Sequence, residues 1–321
     1  MTFNLLYCLD SNYNLQAQSS IVSILDLTDS KLNIYVIHKD RENFTNSLSP
    51  YIKNHEKLNS INIFNFDFQN IDFKNLENSH VTEATYYRLF FDRIIPKEIE
   101  NLIYLDSDVI CINKPDVFFK NIINQLSSSN FIIGVKTTSN RKNEPLRFED
   151  LGLKSNSYFN AGVMFINTKK WRKDKIFEQI RIIFNKKNLN LKFWDQDILN
   201  KIFDGEYLEI DQNLNLEIRL GLNKAYSNDY FDNIVLVHYS GKSKPWNNKG
   251  LFNKRNEFYH NNFRKINTDY YHIEHVWLKL SIKYLLNSFT NRKFFKIEKK
   301  LKFLKIYFKK IFQKIYARKL I

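Results

Sequence analysis

Asp106 and Asp108, two residues apart, interrupt an otherwise apolar run at residues 101–112, NLIYLDSDVICI. In an extended segment residues i and i+2 point to the same side, so these carboxylates converge while Ser107 points away. Two such charges inside a buried strand are costly unless something positive sits between them. A divalent cation answers that need: hard oxygen ligands with positions left open for phosphate oxygens suit Mn²⁺, or Mg²⁺. Strand-end aspartates paired to arginine are the alternative. His238 ends another apolar run, residues 234–238, and YSGKSKPW follows it. An imidazole nitrogen, a glycine and the ammonium groups of Lys242 and Lys244 thus share one short stretch, a set able to face both a metal and a phosphate. The spacing is not that of a Walker loop. Asp10 closes the first apolar run, where α/β sheets place ligands, although a helix N-cap accounts for it equally well. Gly162, beside Asn160 in the strand-like YFNAGVMFIN, marks either a close approach of backbone to a neighbour or a bulge.

These residues need a scaffold, and the hydropathy pattern supplies one. Residues 3–9, 32–38 and 61–68 read as strands, and 13–27 reads as a helix between the first two. Strand-helix-strand at this spacing predicts parallel βαβ units in an open, doubly wound sheet, hence an α/β fold. Residues 158–167 are a further strand and 170–185 an amphipathic helix with Trp171 in the core. Asp195-Gln196-Asp197 precede helical spacing, so one of these acids is expected to serve the first turn of a helix. With 43% hydrophobic residues, 28 Phe and 18 Tyr the chain can bury a full core, which excludes disorder. Seven Gly and five Pro exclude collagen-like and linker-rich classes. Cys8 and Cys111 lie in apolar runs, as core thiols of a reduced, cytosolic protein would.

Six segments in order resemble glycosyltransferase family 8, the retaining sugar-nucleotide transferases that include bacterial lipooligosaccharide and lipopolysaccharide galactosyl- and glucosyltransferases. They are LDSNY (9–13), ATYYRLFF (84–91), IYLDSDV (103–109), YFNAGVMFINTKKW (158–171), DQDILN (195–200) and HYSGKSKPW (238–246). The resemblance implies a GT-A fold, a Rossmann-like, mostly parallel sheet, over residues 1–265. It implies that Asp106, Asp108 and His238 hold Mn²⁺ against the diphosphate of UDP-galactose or UDP-glucose. Asp10 and Tyr13 would lie at the uracil and Asn12 near the ribose. Ser107, Gly241, Lys244 and Arg88 would serve the donor, with Lys244 and the Gly241 backbone at the diphosphate. Asn160, Asp195, Gln196 and Arg88 would line the sugar pocket as the catalytic set. Gln196 is a poor nucleophile, which favours a front-face, ion-pair-like substitution over a covalent intermediate on Gln196 or Asp195. On the acceptor side the chain departs from galactosyltransferase relatives: residues 136–150 carry Thr137-Thr138 where those have an aspartate, and Ser240 stands where they have cysteine. His80 and Val81 resemble acceptor-side positions. The expected acceptor is a hydroxyl of an oligosaccharide or lipid-linked glycan, with a protein acceptor or a non-catalytic basic binding protein as alternatives.

Charge divides the chain further. The net charge is +15, and residues 292–319, with twelve Lys or Arg against Glu298, hold +11 of it. That concentration argues against nucleic acid as a partner, because the folded part is left with only +4. Ile297, Leu301, Leu304, Phe308, Ile311 and Ile315 recur at helical spacing among the lysines, so residues 266–321 are expected to be a helical, basic C-terminal region that meets an anionic membrane surface. A helix packed on the domain is the alternative, and a coiled coil would suffer like-charge repulsion. Removing residues 290–321 is expected to spare turnover of soluble acceptors. No signal peptide precedes a cleavage site in the first residues and no run is long enough to span a bilayer, so a peripheral place on the cytoplasmic face of the inner membrane is expected.

Overall fold

The N-terminal apolar run forms β1 (Thr2–Leu9), and its alternate residues feed two cores. Phe3, Leu5, Tyr7 and Leu9 pack on one face of the sheet, Leu6 and Cys8 on the other. That two-sided burial is why the run reads as continuously apolar. A computed structural model describes residues 1–68, 82–184, 191–221, 226–227, 229–275 and 278–319. Within them β2 (Lys31–His38), β3 (Leu58–Asn65), β4 (Asn101–Leu105), β5 (Val109–Cys111), β6 (Ile133–Asn140), β7 (Ser157–Asn167), β8 (Leu208–Glu209), β9 (Leu216–Glu217) and β10 (Leu236–His238) follow β1.

Seven strands form one sheet in the order β3-β2-β1-β4-β7-β6-β8. The pairs on the β3 to β4 side and the β6–β8 pair are parallel, whereas β7 runs antiparallel to both β4 and β6. The expected parallel βαβ units are therefore present in the first half, and the sheet as a whole is mixed. The helix Asn14–Leu25 makes the first crossover, and its buried polar side chains are bonded: Ser20 to Tyr7, Ser23 to the Cys111 amide, Gln18 to the Ser49 amide. Three further strands form a small sheet in the order β5-β10-β9. Both cysteines are buried and free.

Three differences from the sequence reading bear on the site. Residues 101–112 are not one strand. The chain leaves the large sheet after β4, turns through Asp106-Ser107-Asp108 with the Val109 amide donating to the Asp106 carbonyl (3.0 Å), and enters the small sheet as β5. The expected helix at 170–185 is two helices, Thr168–Lys173 and Ile176–Phe184, broken at Lys175 with φ +51°. Trp171 is fully buried, as expected.

The third difference is the C-terminal region. The helix Lys300–Lys319 lays Phe303, Ile306, Tyr307 and Ile311 against Leu251, Tyr271, Ile273 and Leu285. Tyr307 donates to the Ser281 carbonyl (2.7 Å), and His275 Nε2 meets the Tyr307 carbonyl at 3.0 Å. The six-residue stripe expected to form one face is split. Ile297 lies before the helix and is buried, Ile311 faces the domain, and Leu301 is 85% exposed. Two apolar sets interleave along this helix, one turned inward and one, Leu301, Phe308, Phe312 and Tyr316, turned to solvent. No helix among the described residues is long and apolar enough to cross a membrane.

Candidate active site

The Asp106–Asp108 turn sits where the two sheets meet, and β10 brings His238 to it. β10 pairs antiparallel with β5, placing His238 opposite Val109. His238 Nε2 lies 3.3 Å from Asp108 Oδ1 and 3.8 Å from Asp106 Oδ2. One ligand atom from each of the three residues lies within 4.8 Å of the others, a grouping a single cation can span. Their convergence comes from the turn and not from strand alternation, and for the same reason Ser107 lines the cavity with both aspartates instead of pointing away.

The fit to a divalent cation can be tested on the side chains. Asp108 Oδ1 is buried and has no well-aligned donor, an expensive state for an anionic oxygen. The donor set is two carboxylates and one imidazole, which suits Mn²⁺ or Mg²⁺. Burial works to raise the Asp108 carboxyl, but Lys244 and His238 outweigh it and hold it far below the usual range. Burial likewise depresses the His238 imidazole, and the two aspartates, Asp108 first, more than reverse this. Asn215 Oδ1 lies 3.1 Å from His238 Nδ1, which leaves Nε2 to face the carboxylates.

Gly162 is the close approach that a strand glycine can signal. The Asp106 amide donates to its carbonyl (2.8 Å), and a Cβ there would collide with the His238 ring and come within 2.8 Å of Asp106 Oδ2. Any side chain at 162 would displace the imidazole or the carboxylate.

Arg88 runs beneath this cluster, almost fully buried. Its Nη1 lies 3.0 Å from Asp106 Oδ1 and donates to the Ala161 carbonyl (2.7 Å), its Nε lies 2.7 Å from Asp195 Oδ2, and its guanidinium stacks over Tyr104 at 4.4 Å. Tyr104 donates to Asp106 Oδ1 (2.6 Å) and Thr85 to Asp195 Oδ1 (3.0 Å). Burial pushes the Asp195 carboxyl up to about 6, with Arg88 only partly offsetting it. Gln196 is held at both ends: its Oε1 accepts from the Ala161 amide (3.0 Å) and its Nε2 donates to Tyr158 (3.1 Å). Asn160 Oδ1 accepts from Asn215 (3.1 Å), so Asn160 and the imidazole belong to one network. Asp197, which accepts from the Phe193 amide (2.7 Å), is the carboxylate of the helix's first turn.

A cavity of about 150 Å³ lined by Tyr13, Thr85, Arg88, Tyr104, Asp106, Ser107, Asp108 and Lys244 gathers six of the sequence candidates. Lys244 reaches Asp108 Oδ2 and donates to the Tyr239 carbonyl (2.7 Å). Tyr13 packs edge-on against Trp246. Other candidates stand apart. Asp10 caps the short helix Ser11–Tyr13 by accepting from the Asn12 amide (2.9 Å), the cap expected as its alternative role. Asn12 is exposed and lines a different cavity with His272, Glu274 and Lys310. Gly241, with φ +76°, lines a third. His80 and Val81 lie outside the described residues. At Thr137 an acid is present after all, from another strand: Glu209 accepts from the Thr137 amide (3.1 Å) and pairs with Lys136 (2.6 Å). Asn215 and Glu209 carried no signal in the sequence, since each acts through a distant partner, and Tyr104 reads there as one more apolar strand residue.

The sequence profile of glycosyl transferase family 8 matches residues 4–250. The chain belongs to that family. Among its relatives is a lipopolysaccharide 1,2-glucosyltransferase of Escherichia coli, 29% identical over 266 residues, 76% of this chain and 73% of that protein. Another is a putative glycosyltransferase of Haemophilus influenzae, 30% identical over 256 residues, 77% of this chain and 74% of that one. The crystal structure of the galactosyltransferase LgtC with donor and acceptor sugar analogs superposes with a TM-score of 0.66 at 20% identity, over 83% of this chain and 96% of LgtC. The expected GT-A fold is thus the fold observed, and this family 8 chain is a glycosyltransferase.

Proposed function

We propose that the protein transfers glucose or galactose from the UDP-sugar to a hydroxyl of a lipopolysaccharide-type, lipid-linked glycan, with retention at the anomeric carbon. The observation that carries this reading is the Asp106, Asp108 and His238 cluster beside Lys244 and Arg88, in a family 8 fold whose relatives include a lipopolysaccharide glucosyltransferase. A divalent cation held by the three residues, Mn²⁺ in the first instance, would supply Lewis-acid charge to the donor diphosphate. The chain's own share is electrostatic. As the anomeric C–O bond breaks, negative charge grows on the departing diphosphate, and the Lys244 ammonium is placed to accept it in exchange for its present contact with Asp108. Tyr13 would offer a ring face to the uracil, with Asp10 and Asn12 nearby.

Retention has two routes, and the geometry favours one. A double displacement needs a free nucleophile beneath the sugar, whereas Gln196 Oε1 is occupied by the Ala161 amide and Asp195 by Arg88 and Thr85. A front-face substitution, in which the departing phosphate oxygen takes the acceptor's proton, asks nothing of either side chain. Residues 1–265 would carry this chemistry. Residues 266–321 would bring it to the anionic membrane surface through Leu301, Phe308, Phe312 and Tyr316, flanked by Lys300, Lys302, Lys305 and Lys309.

A donor screen tests the proposal: UDP released from UDP-glucose and UDP-galactose, with Mn²⁺ and with chelator, in the presence of lipopolysaccharide core oligosaccharide. Metal-dependent release with one of the two donors is expected. Absence of turnover and of UDP binding would sink it, and a glycosyl adduct on Asp195 or Gln196 by mass spectrometry would overturn the front-face route.

A further inference from the structure

A second cavity, of about 510 Å³, is lined in part by the segment that follows His238. Ser240, Gly241, Lys242 and Ser243 form one wall of it, while Lys244 at the end of the same segment lines the donor cavity. Arg219 enters from the stretch after β9, Lys249 from the stretch after Trp246, and Lys293 from the end of the helix Leu278–Thr290. Four exposed cations from four places therefore line the cavity, and among the described residues no acid does. Among the described residues none of these four side chains has an acidic partner, in contrast to Lys136, Arg147 and Lys265, each of which pairs with a carboxylate.

An independent observation points the same way. Ser240 is 92% buried, it lines this cavity, and its Oγ has no hydrogen-bond partner, although buried hydroxyls are almost always bonded. A hydroxyl donor and four unpaired cations around one space are the elements of an anion site. Its position gives the anion a source: a transferase must hold its second substrate near the first, and Ser243 of this space is followed directly by Lys244 of the donor cavity.

We propose that this cavity binds an anionic group, phosphate or carboxylate, carried by the sugar acceptor. The inference rests on the glycosyl-transfer reading of the neighbouring site and adds the acceptor's chemical class to it. Phosphate and carboxylate share the chemistry that Arg219, Lys242, Lys249, Lys293 and Ser240 offer, and the arms of the test separate them.

Calorimetric titration of the full chain decides it, with glucose 6-phosphate, glucuronate and glucose as probes, each with and without saturating UDP and Mn²⁺. The expected result is binding of glucose 6-phosphate, of glucuronate, or of both, and none of glucose. Lys249→Gln/Lys293→Gln should weaken the anionic sugar by about tenfold or more and leave UDP affinity unchanged. Ser240→Ala should weaken it too without lowering the melting temperature, which a merely structural hydroxyl would not do. Equal affinity in the double variant and the wild type, or no anionic-sugar binding by the wild type, overturns the proposal. So does displacement of the sugar phosphate by phosphatidylglycerol vesicles, which would assign the cavity to a lipid headgroup. If UDP fails to bind, the donor reading falls, and the titrations without UDP still decide the cavity.

Discussion

Around the Asp106–Asp108 turn, Arg88, His238 and Lys244 face Asp106, Asp108 and Asp195 at contact distance; four of the six are buried, and Asp106 and Lys244 are half-buried. In residues 292–319 twelve cations share the single acid Glu298, and Lys300, Lys302, Lys305 and Lys309 stand exposed among Leu301, Phe308, Phe312 and Tyr316. Inside the fold, charge is tolerated because each cation has its acid, so function there depends on geometry. At the C-terminal end the surplus is solvated, so any function there depends on total charge and falls with salt. The two regions should therefore respond to mutation in different ways: single substitutions should disable the first, and only accumulated ones the second.

The largest effect expected is at Asp108. Asp108→Asn removes a cation ligand and frees Lys244 from its acid, and turnover of the UDP-sugar should fall about 10³-fold. A fall of less than about tenfold would mean that the buried cluster is structural. Next, Lys302→Gln/Lys305→Gln/Lys309→Gln should weaken binding to phosphatidylglycerol vesicles by about two orders of magnitude at low salt, at ~1 kcal/mol for each lysine. Sedimentation measures this, and turnover of a soluble acceptor should not change. If one lysine alone removed the binding, the contrast between geometry and total charge would collapse. Asn215→Ala leaves His238 Nδ1 without its partner and should reduce Mn²⁺ affinity by about tenfold.

The smallest effect is on stability, at Asp195. Its carboxyl rises from 3.8 to about 6 in the folded protein, burial being the main cause. A group raised in this way favours the fold while it is protonated. Its contribution is present below about pH 4 and is lost as pH rises through about 6. Asp195→Asn should therefore raise stability at pH 8 by about 1–3 kcal/mol, seen as a melting point higher by a few degrees, and do little near pH 4. If the variant is less stable at pH 8, the Arg88 pair outweighs burial, and the inner region stabilises by attraction more than the balance above allows.

The sequence disclosed the inner region better than the outer one, for physical reasons. Asp106, Asp108 and His238 were visible because ionisable residues in apolar runs are anomalous, and Gly162 because a strand pays for a missing side chain. Strand alternation nevertheless misplaces Ser107, since a two-residue turn and an extended pair bring the same aspartates together. Asn215 was invisible because an asparagine that orients an imidazole looks like any other asparagine. At the C-terminal end the helix keeps Leu301, Leu304, Phe308, Ile311 and Ile315 at helical spacing, while Ile297 falls before its start. Phe303, Ile306, Tyr307 and Ile311 keep that spacing too, and only packing against Tyr271 and Leu285 decides which set turns inward. Removal of residues 290–321 would thus uncover Leu251, Tyr271 and Ile273 instead of merely releasing a tail, and point substitutions of lysines are the cleaner experiment.

The turn that carries Asp106 and Asp108 is also the join between the two sheets, and its partners arrive late. Asp195, His238 and Lys244 lie about 90 to 140 residues further along the chain. A growing chain that has made only its first 170 residues holds both turn aspartates with Arg88, among the described residues, as their counter-charge. Segment 236–244 then approaches a negatively charged half-site with an imidazole and an ammonium. Docking of β10 onto β5 is in that sense an association between oppositely charged surfaces, one that salt should slow and a bound cation should partly replace. The final stitch of this fold and the first contact with the donor would draw on the same field.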